Sequence, residues 1–505
     1  MTALTRRRFL AATACLPVLS ALPRPALAQD AALALRATSR TLDIDGKAAT
    51  VWGLAGPSGQ GLILDPGQRF RVDLTNDLPE PTLIHWHGQI PPNDQDGVPE
   101  MPLPKLQPGE TRSYNYAPLP GTYWMHAHIP VQEMRLLAAP LIVRAPGDAA
   151  ADRQDVVMFL HDFSFKPPEE VMAEITGGAG GHGGMDHGAM PMEGSDGMAG
   201  MDHGAMGQGG MAMDMDMEGM MPGMDMAAMP GMSGMAMDLN DYNFDAYLAN
   251  DRTLSDPEIV AVETSGRIRL RVVNAAAATS FWIDTGSAAA RLVAVDGQPV
   301  QPVPGTRFGL AMAQRLDLEI DLDGAGAWPI LALREGARER TGLILASAGA
   351  AVPKLAPLAD APAPAFDPDL AQESGLVALE PLAERPADRV HMVMLGGSMQ
   401  PYRWTIDGRT WGDHLPLTAK TGERVEIMFH NMSMMTHPMH LHGHTFQVVE
   451  INGRRIPGAR RDTIHVPPMS MVTVALDAGE AARWMLHCHH MPHLETGMMT
   501  EFAVS

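Results

Sequence analysis

Cysteine is almost absent: two residues in 505, Cys15 and Cys488. Cys15 lies in the opening "MTALTRRRFLAATACLPVLSALPRPALAQD". Its basic start, apolar stretch and small residues before a cut after Ala28 predict an export signal over residues 1–28. The arginine pair within "TRRRFL", Thr5 to Leu10, has the setting of a twin-arginine leader. The mature chain would then keep Cys488 alone, which excludes an intrachain disulfide even in a compartment that permits one. Metal binding or reactivity is what remains for that sulfur. Basic residues are also scarce: 37 Lys and Arg stand against 59 Asp and Glu, and loss of the four leader arginines takes the formal charge from -22 to -26. Nucleic acid is therefore not an expected partner, and cationic ones are favoured. After the leader no run of 18 apolar residues occurs, so no membrane span is expected.

Glycine and proline, by contrast, are plentiful, at 50 and 42 residues. Three segments share one plan: "GQRFRVDLTN" from Gly67, "GRIRLRVVN" from Gly266 and "GERVEIMFHN" from Gly422. Each opens on a turn glycine and runs on with partial period-2 alternation, the pattern of a strand with one buried face. Gly266 to Gly297 and Gly422 to Gly453 are both 31 positions apart, which points to related β domains. The expected architecture is all-β, three sandwiches over residues 31–148, 155–350 and 376–505, with an Ala/Pro-rich linker at 351–375. Eighteen residues beyond the first glycine stand His85 in copy one, Asp284 in copy two and His440 in copy three. The outer domains are thus expected to carry the chemistry.

Ten of the 20 histidines fall in four clusters: His85 and His87; His126 and His128; His437, His440 and His442; His487, His489 and His493. In a strand an HxH pair sends both rings to one face. Two pairs from each outer domain would put eight imidazoles around one cavity, a set that suits copper, iron and zinc alike. Cys488 discriminates, because its side chain leaves the face opposite to His487 and His489. A thiolate there, joined by His437 and His493 with Met498 as a long axial ligand, is the donor set of a blue copper site. Its flanking histidines connect it through the backbone to the cluster.

In these four motifs, taken in order, the chain closely resembles the multicopper oxidases, the superfamily of laccases, ascorbate oxidase and bacterial cuprous oxidases. The resemblance implies three cupredoxin-like Greek-key β-sandwiches and four copper ions. His437, Cys488 and His493 match the type 1 ligands, with Met498 axial, and His85 and His440 match the type 2 positions. His87, His126 and His489 match one type 3 copper, and His128, His442 and His487 the other. Cys488, His487 and His489 match the electron path. Asp96 of "DQDGVP" matches an acidic position that relays protons to oxygen. Where some bacterial relatives have an acidic residue after the last type 1 histidine, this chain has Leu494 followed by Glu495, which displaces such a role from this loop. His444, His465 and His490 fall outside the pattern and read as supporting or surface residues.

From His182 to Asp238 the composition changes: 18 of the 39 methionines lie here, with nine acidic residues and no Lys or Arg. This predicts an insertion in the middle domain. Thioethers prefer Cu(I), and Met185, Met190, Met201, Met206, Met211, Met213, Met215, Met217, Met220, Met221, Met224 and Met226 form a candidate cuprous collector. Similar insertions occur in bacterial copper-resistance oxidases. The expected protein is a periplasmic or otherwise exported monomer, sent out by the twin-arginine (Tat) machinery. Its partners would be O2, Cu(I) and small phenols. The alternatives are a general laccase-like phenol or amine oxidase and a copper-binding or delivery protein with little turnover.

Overall fold

The computed structural model describes residues 31–177 and 239–505; the leader and the methionine-rich stretch, with its candidate collector residues, lie outside the described residues. Strands dominate what is described, and the longest helix there, Pro168–Gly177, has ten residues. None is long and apolar enough to cross a membrane. Among the described residues six sheets form three sandwiches, pairing five strands with four, six with five and seven with five. Each encloses its own core, around Phe70 and Trp86, around Phe281 and Leu318, and around Trp404 and Phe429. The chain is all-β, with the three sandwiches expected of it.

The repeated segments are equivalent strands. Phe70–Asn76 runs parallel to Leu33–Ile44 and antiparallel to Thr111–Tyr116. Arg267–Asn274 lies between a parallel Gln154–Phe163 and an antiparallel Arg315–Asp321. Arg424–Asn431 has Arg389–Met399 parallel on one side and Met471–Asp477 antiparallel on the other. All three end on a fully buried asparagine whose amide donates to loop carbonyls: Asn76 to Leu106 at 2.9 Å, Asn274 to Thr279 at 2.9 Å, Asn431 to Met435 at 2.8 Å. A short amide at that point satisfies the carbonyls of the loop that leaves the strand. The turn glycines 31 positions on, Gly297 and Gly453, have φ of 75° and 77°, each after an Asp or Asn also at positive φ. That pair of left-handed residues is what a two-residue hairpin turn requires.

Two connecting segments are bound into the structure. The Ala/Pro-rich join bridges to the middle sandwich at Glu339↔Leu358 and Glu335↔Ala363, and Glu373 near its end is buried against Arg461. On either side of the methionine-rich stretch, Val171, Met172, Ile175 and Tyr242 join the core of the third sandwich.

Candidate metal centre

Four short strands present the histidines. Ile84–His87 pairs with Gly121–Ala127 so that His85 stands opposite His126, and His437–Leu441 pairs with Arg483–Cys488 so that His440 stands opposite His487. Directly opposed residues share a face of the sheet, and the i+2 partners His87, His128, His442 and His489 extend the same two faces. The first and third sandwiches bring these faces together: His85 Nε2 lies 3.4 Å from His440 Nε2, 355 positions away in sequence. Three groups result, each with its ligand atoms within 4.8 Å: His85, His87 and His440; His87, His126 and His489; His128, His442 and His487.

Hydrogen bonds fix which nitrogen each ring turns inward. His85 Nδ1 donates to the Asp96 carbonyl at 2.7 Å and His440 Nδ1 to the Asp462 carbonyl at 2.8 Å. His442 Nδ1 donates to Asp96 Oδ2 at 2.8 Å, and His487 Nδ1 to the Cys488 carbonyl at 2.9 Å. His126 Nδ1 faces Glu133 Oε2 at 3.1 Å, whereas His87 uses Nε2, 3.1 Å from Asp462 Oδ1. A neutral imidazole has one N–H, so the inward nitrogens carry bare lone pairs. Burial first, and neighbouring imidazoles second, hold His87, His126, His128, His440, His442 and His489 well below the usual imidazole pKa. Burial takes His487 down to about 4. Lone pair therefore faces lone pair at 3.1 Å between His442 and His487 and at 3.4 Å between His87 and His126. Nε2 of His128 and of His489 are buried with no hydrogen-bond partner at all. Such a set is electrostatically unfavourable until a cation shares the lone pairs. Two nitrogens at about 2.0–2.1 Å from one ion would sit roughly 3.3–3.6 Å apart, close to these separations.

Cys488 lies on the other side of its strand. Its Sγ is 3.7 Å from Nδ1 of both His437 and His493, whose Nδ1 atoms are 3.1 Å apart, and all three residues are fully buried. Burial pushes the Cys488 thiol up, so a proton stays on sulfur until a cation displaces it. Met498 is also fully buried in this core, and its carbonyl accepts the Cys488 amide at 3.1 Å. The donors present, imidazoles on one face and thiol, imidazoles and thioether on the other, fit copper.

Family models described as multicopper oxidase match residues 36–148, 207–349 and 384–505. The chain is 32% identical over 451 residues to Multicopper oxidase MmcO of Mycobacterium tuberculosis, covering 86% of this chain and 79% of the other. The chain belongs to the multicopper oxidase family. Copper resistance protein A of Escherichia coli is 26% identical over 558 residues, 90% of this chain and 88% of its own. Among solved structures, the multicopper oxidase from Pseudomonas Thermotolerans superposes with a TM-score of 0.65 at 24% identity, covering 94% and 98% of the two chains. Fet3p, a multicopper oxidase that functions in iron import, gives 0.70 at 18%, covering 94% and 90%. These two likenesses concern the fold.

In this multicopper oxidase several residues at the site carry no sequence signature. Glu133, on the single-turn helix Pro130–Glu133, is buried beside His126, and Asp462 orients both His87 and His440. Nothing in the sequence marks Asp462, beside Arg460 and Arg461, as an anchor for rings 375 and 22 positions away. His444, His465 and His490 are all buried rather than on the surface. His444 Nδ1 donates to the His442 carbonyl at 3.0 Å, His465 meets Thr436 Oγ1 at 3.0 Å, and His490 stacks on His493 with ring centres 4.0 Å apart. After His87 the chain turns at Gly88, φ 84°, where a Cβ would collide with Arg315 and Asp462.

Proposed function

We propose that this multicopper oxidase takes electrons singly from Cu(I) and passes them to O2, reducing it to water, with copper tolerance as the consequence. In this reading His437, Cys488 and His493, with Met498 axial, hold a type 1 copper. His85 and His440 hold a type 2 copper; His87, His126 and His489, and His128, His442 and His487, hold two type 3 coppers. Bound copper would supply a soft one-electron acceptor at the first site and a multinuclear oxygen-reducing centre at the second.

The observation that carries the reading is the arrangement around Cys488. Its sulfur faces His437 and His493, while its own carbonyl accepts the Nδ1–H of His487, whose Nε2 faces His442 in the other group. One residue thus touches both centres through a short covalent and hydrogen-bonded path. Asp96, holding His442 by its carboxylate and His85 by its carbonyl, is placed to carry protons to the oxygen side. A Met498 thioether would lower the type 1 potential relative to a non-coordinating side chain. Cu(I) as donor is favoured by the methionine-rich residues 182–238, whose thioethers we assign to cuprous capture, and by likeness to the copper resistance proteins. Export by the twin-arginine route to the periplasm, and domain limits at 31–148, 155–350 and 376–505, complete the proposal.

Metal analysis with absorption and spin-resonance spectra tests it. Four coppers per chain are expected, with an intense thiolate-to-copper band that Cys488→Ser abolishes and a separate type 2 signal that it leaves. Steady-state rates with Cu(I) and with a phenol, before and after deletion of residues 182–238, then separate a cuprous oxidase from a laccase-like one. If deletion leaves cuprous turnover and its KM unchanged, the collector role is lost. Full copper occupancy with no oxygen uptake from any donor would instead make this a copper carrier.

A further inference from the structure

The third sandwich carries sulfur on its outside as well. In the strand Arg424–Asn431, Ile427 and Phe429 are fully buried, so Met428 and His430 between and after them face outward. The register places Met394 of the parallel neighbour and Met471 of the antiparallel neighbour directly beside His430. Their own inward neighbours, Val393, Leu395 and Val472, are fully buried, and Met471 is 38% exposed. One row across the outer face therefore reads thioether, imidazole, thioether. The next row along contributes Met392, 62% exposed, beside Met428.

Sheet propensity does not explain this row, since outward positions of a strand favour β-branched and aromatic residues. The internal repeat supplies a control. The position before the terminal asparagine is Thr75 in copy one, flanked by Arg36 and Thr111, with the Thr75 and Thr111 hydroxyls 2.9 Å apart. In copy two it is Val273, flanked by Phe159 and Arg315. Only copy three, among the described residues, builds Met–His–Met there. No hydrogen bond or ion pair among the described residues engages the His430 ring, which keeps both nitrogens available.

We propose that Met394, His430 and Met471 form a surface site for Cu(I), separate from the ligand groups of the interior and from residues 182–238. Neighbouring strands are about 4.8 Å apart, which puts both flexible thioethers within reach of an ion held at the ring. Two thioethers and a neutral imidazole form a soft, uncharged donor set, suited to a soft monovalent ion and poor for Mg2+ or Ca2+. The site stands on its own donors and does not depend on Cu(I) being the reductant of the oxidase.

The test uses the full chain with [methyl-13C]methionine and Ag+ as a closed-shell stand-in for Cu(I) that the oxidase cannot turn over. Met394→Leu and Met471→Leu, swaps of similar volume, identify the two methyl resonances. Both resonances are expected to move together on Ag+ addition. His430→Gln is expected to weaken that response at least tenfold while leaving the responses of other methionines unchanged, which separates this site from residues 182–238. If the two methyls stay still while other methionines saturate, or respond equally in His430→Gln, the site does not exist. The blue absorption of copper-loaded His430→Gln and Met394→Leu, expected unchanged, reports that both variants fold.

Discussion

Arg315 Nη1 donates to Asp462 Oδ1 at 2.7 Å and Nη2 to Oδ2, with both residues buried. Arg315 belongs to the middle sandwich, yet its Nε also donates to the Thr122 carbonyl of the first at 3.3 Å. Asp462 in turn holds His87 by its carboxylate and His440 by its carbonyl. The middle sandwich, none of whose described residues belongs to the three histidine groups, therefore orients two of their rings through a single acid.

Arg315→Met follows as a first test. It removes one partner of a buried ion pair, a change that costs about 3–5 kcal/mol because the remaining charge is stranded. Thermal unfolding should show that loss. Copper content should fall at the histidine groups between the first and third sandwiches while the blue band survives, since His437, Cys488 and His493 do not touch Arg315 or Asp462. A variant that keeps all its copper and its stability would show that Arg315 does not anchor the site.

Asp96 separates positioning from proton supply. In Asp96→Asn the backbone carbonyl still accepts from His85, and the amide oxygen can still accept from His442, so copper content and spectra should stay as they are. If Asp96 supplies the protons, as proposed, oxygen uptake should drop by about 10²–10⁴-fold. Asp96→Ala also frees the His442 ring and should lower copper affinity by about 10–100-fold. Equal oxygen uptake in wild type and Asp96→Asn would assign proton delivery elsewhere.

How far the sequence reveals this molecule depends on what each contact needs. The three strands ending at Asn76, Asn274 and Asn431 are legible because period-2 burial is local, and the HxH pairs because i and i+2 share a face. Cys488 is legible because scarcity isolates it. Glu133 and Asp462 are not, since their partners are fixed by how separate sandwiches meet, and no spacing encodes that. His490 follows the same logic: beside the motif it looks incidental, but the turn into Met491–Glu495 lays it flat on His493. The Met394–His430–Met471 row also needs sheet register, which joins positions 36 and 41 apart in the chain.

Burial holds the Glu133 carboxyl well above its usual pKa, which favours the neutral acid beside His126. A neutral acid is well imitated by an amide. Glu133→Gln should therefore retain copper within about twofold, whereas Glu133→Leu removes the polar partner and should weaken binding at His126 and His489 by about 10–100-fold. Competition with a copper chelator measures both. Equal losses in the two variants would mean that Glu133 works as a carboxylate.

Acid sensitivity of the metal-free protein should come in part from two histidines outside the ligand groups. Burial, the leading cause in both, lowers His161 to about 4 and His465 to about 3. In the unfolded chain each would titrate near 6.5. Below that value the unfolded state takes up protons that the folded state refuses, so stability is complete above pH 6.5. It then drains as pH falls toward 4, by up to about 1.4 kcal/mol per pH unit for each ring. His161 Nδ1 donates to the Ala275 carbonyl at 3.2 Å, a bond that a glutamine amide can replace. His161→Gln should thus leave Tm at pH 7.5 nearly unchanged and flatten its fall between pH 6.5 and 4, read by calorimetry on copper-free protein. An unchanged acid slope would show that His161 takes up its proton in the fold as readily as in the unfolded chain.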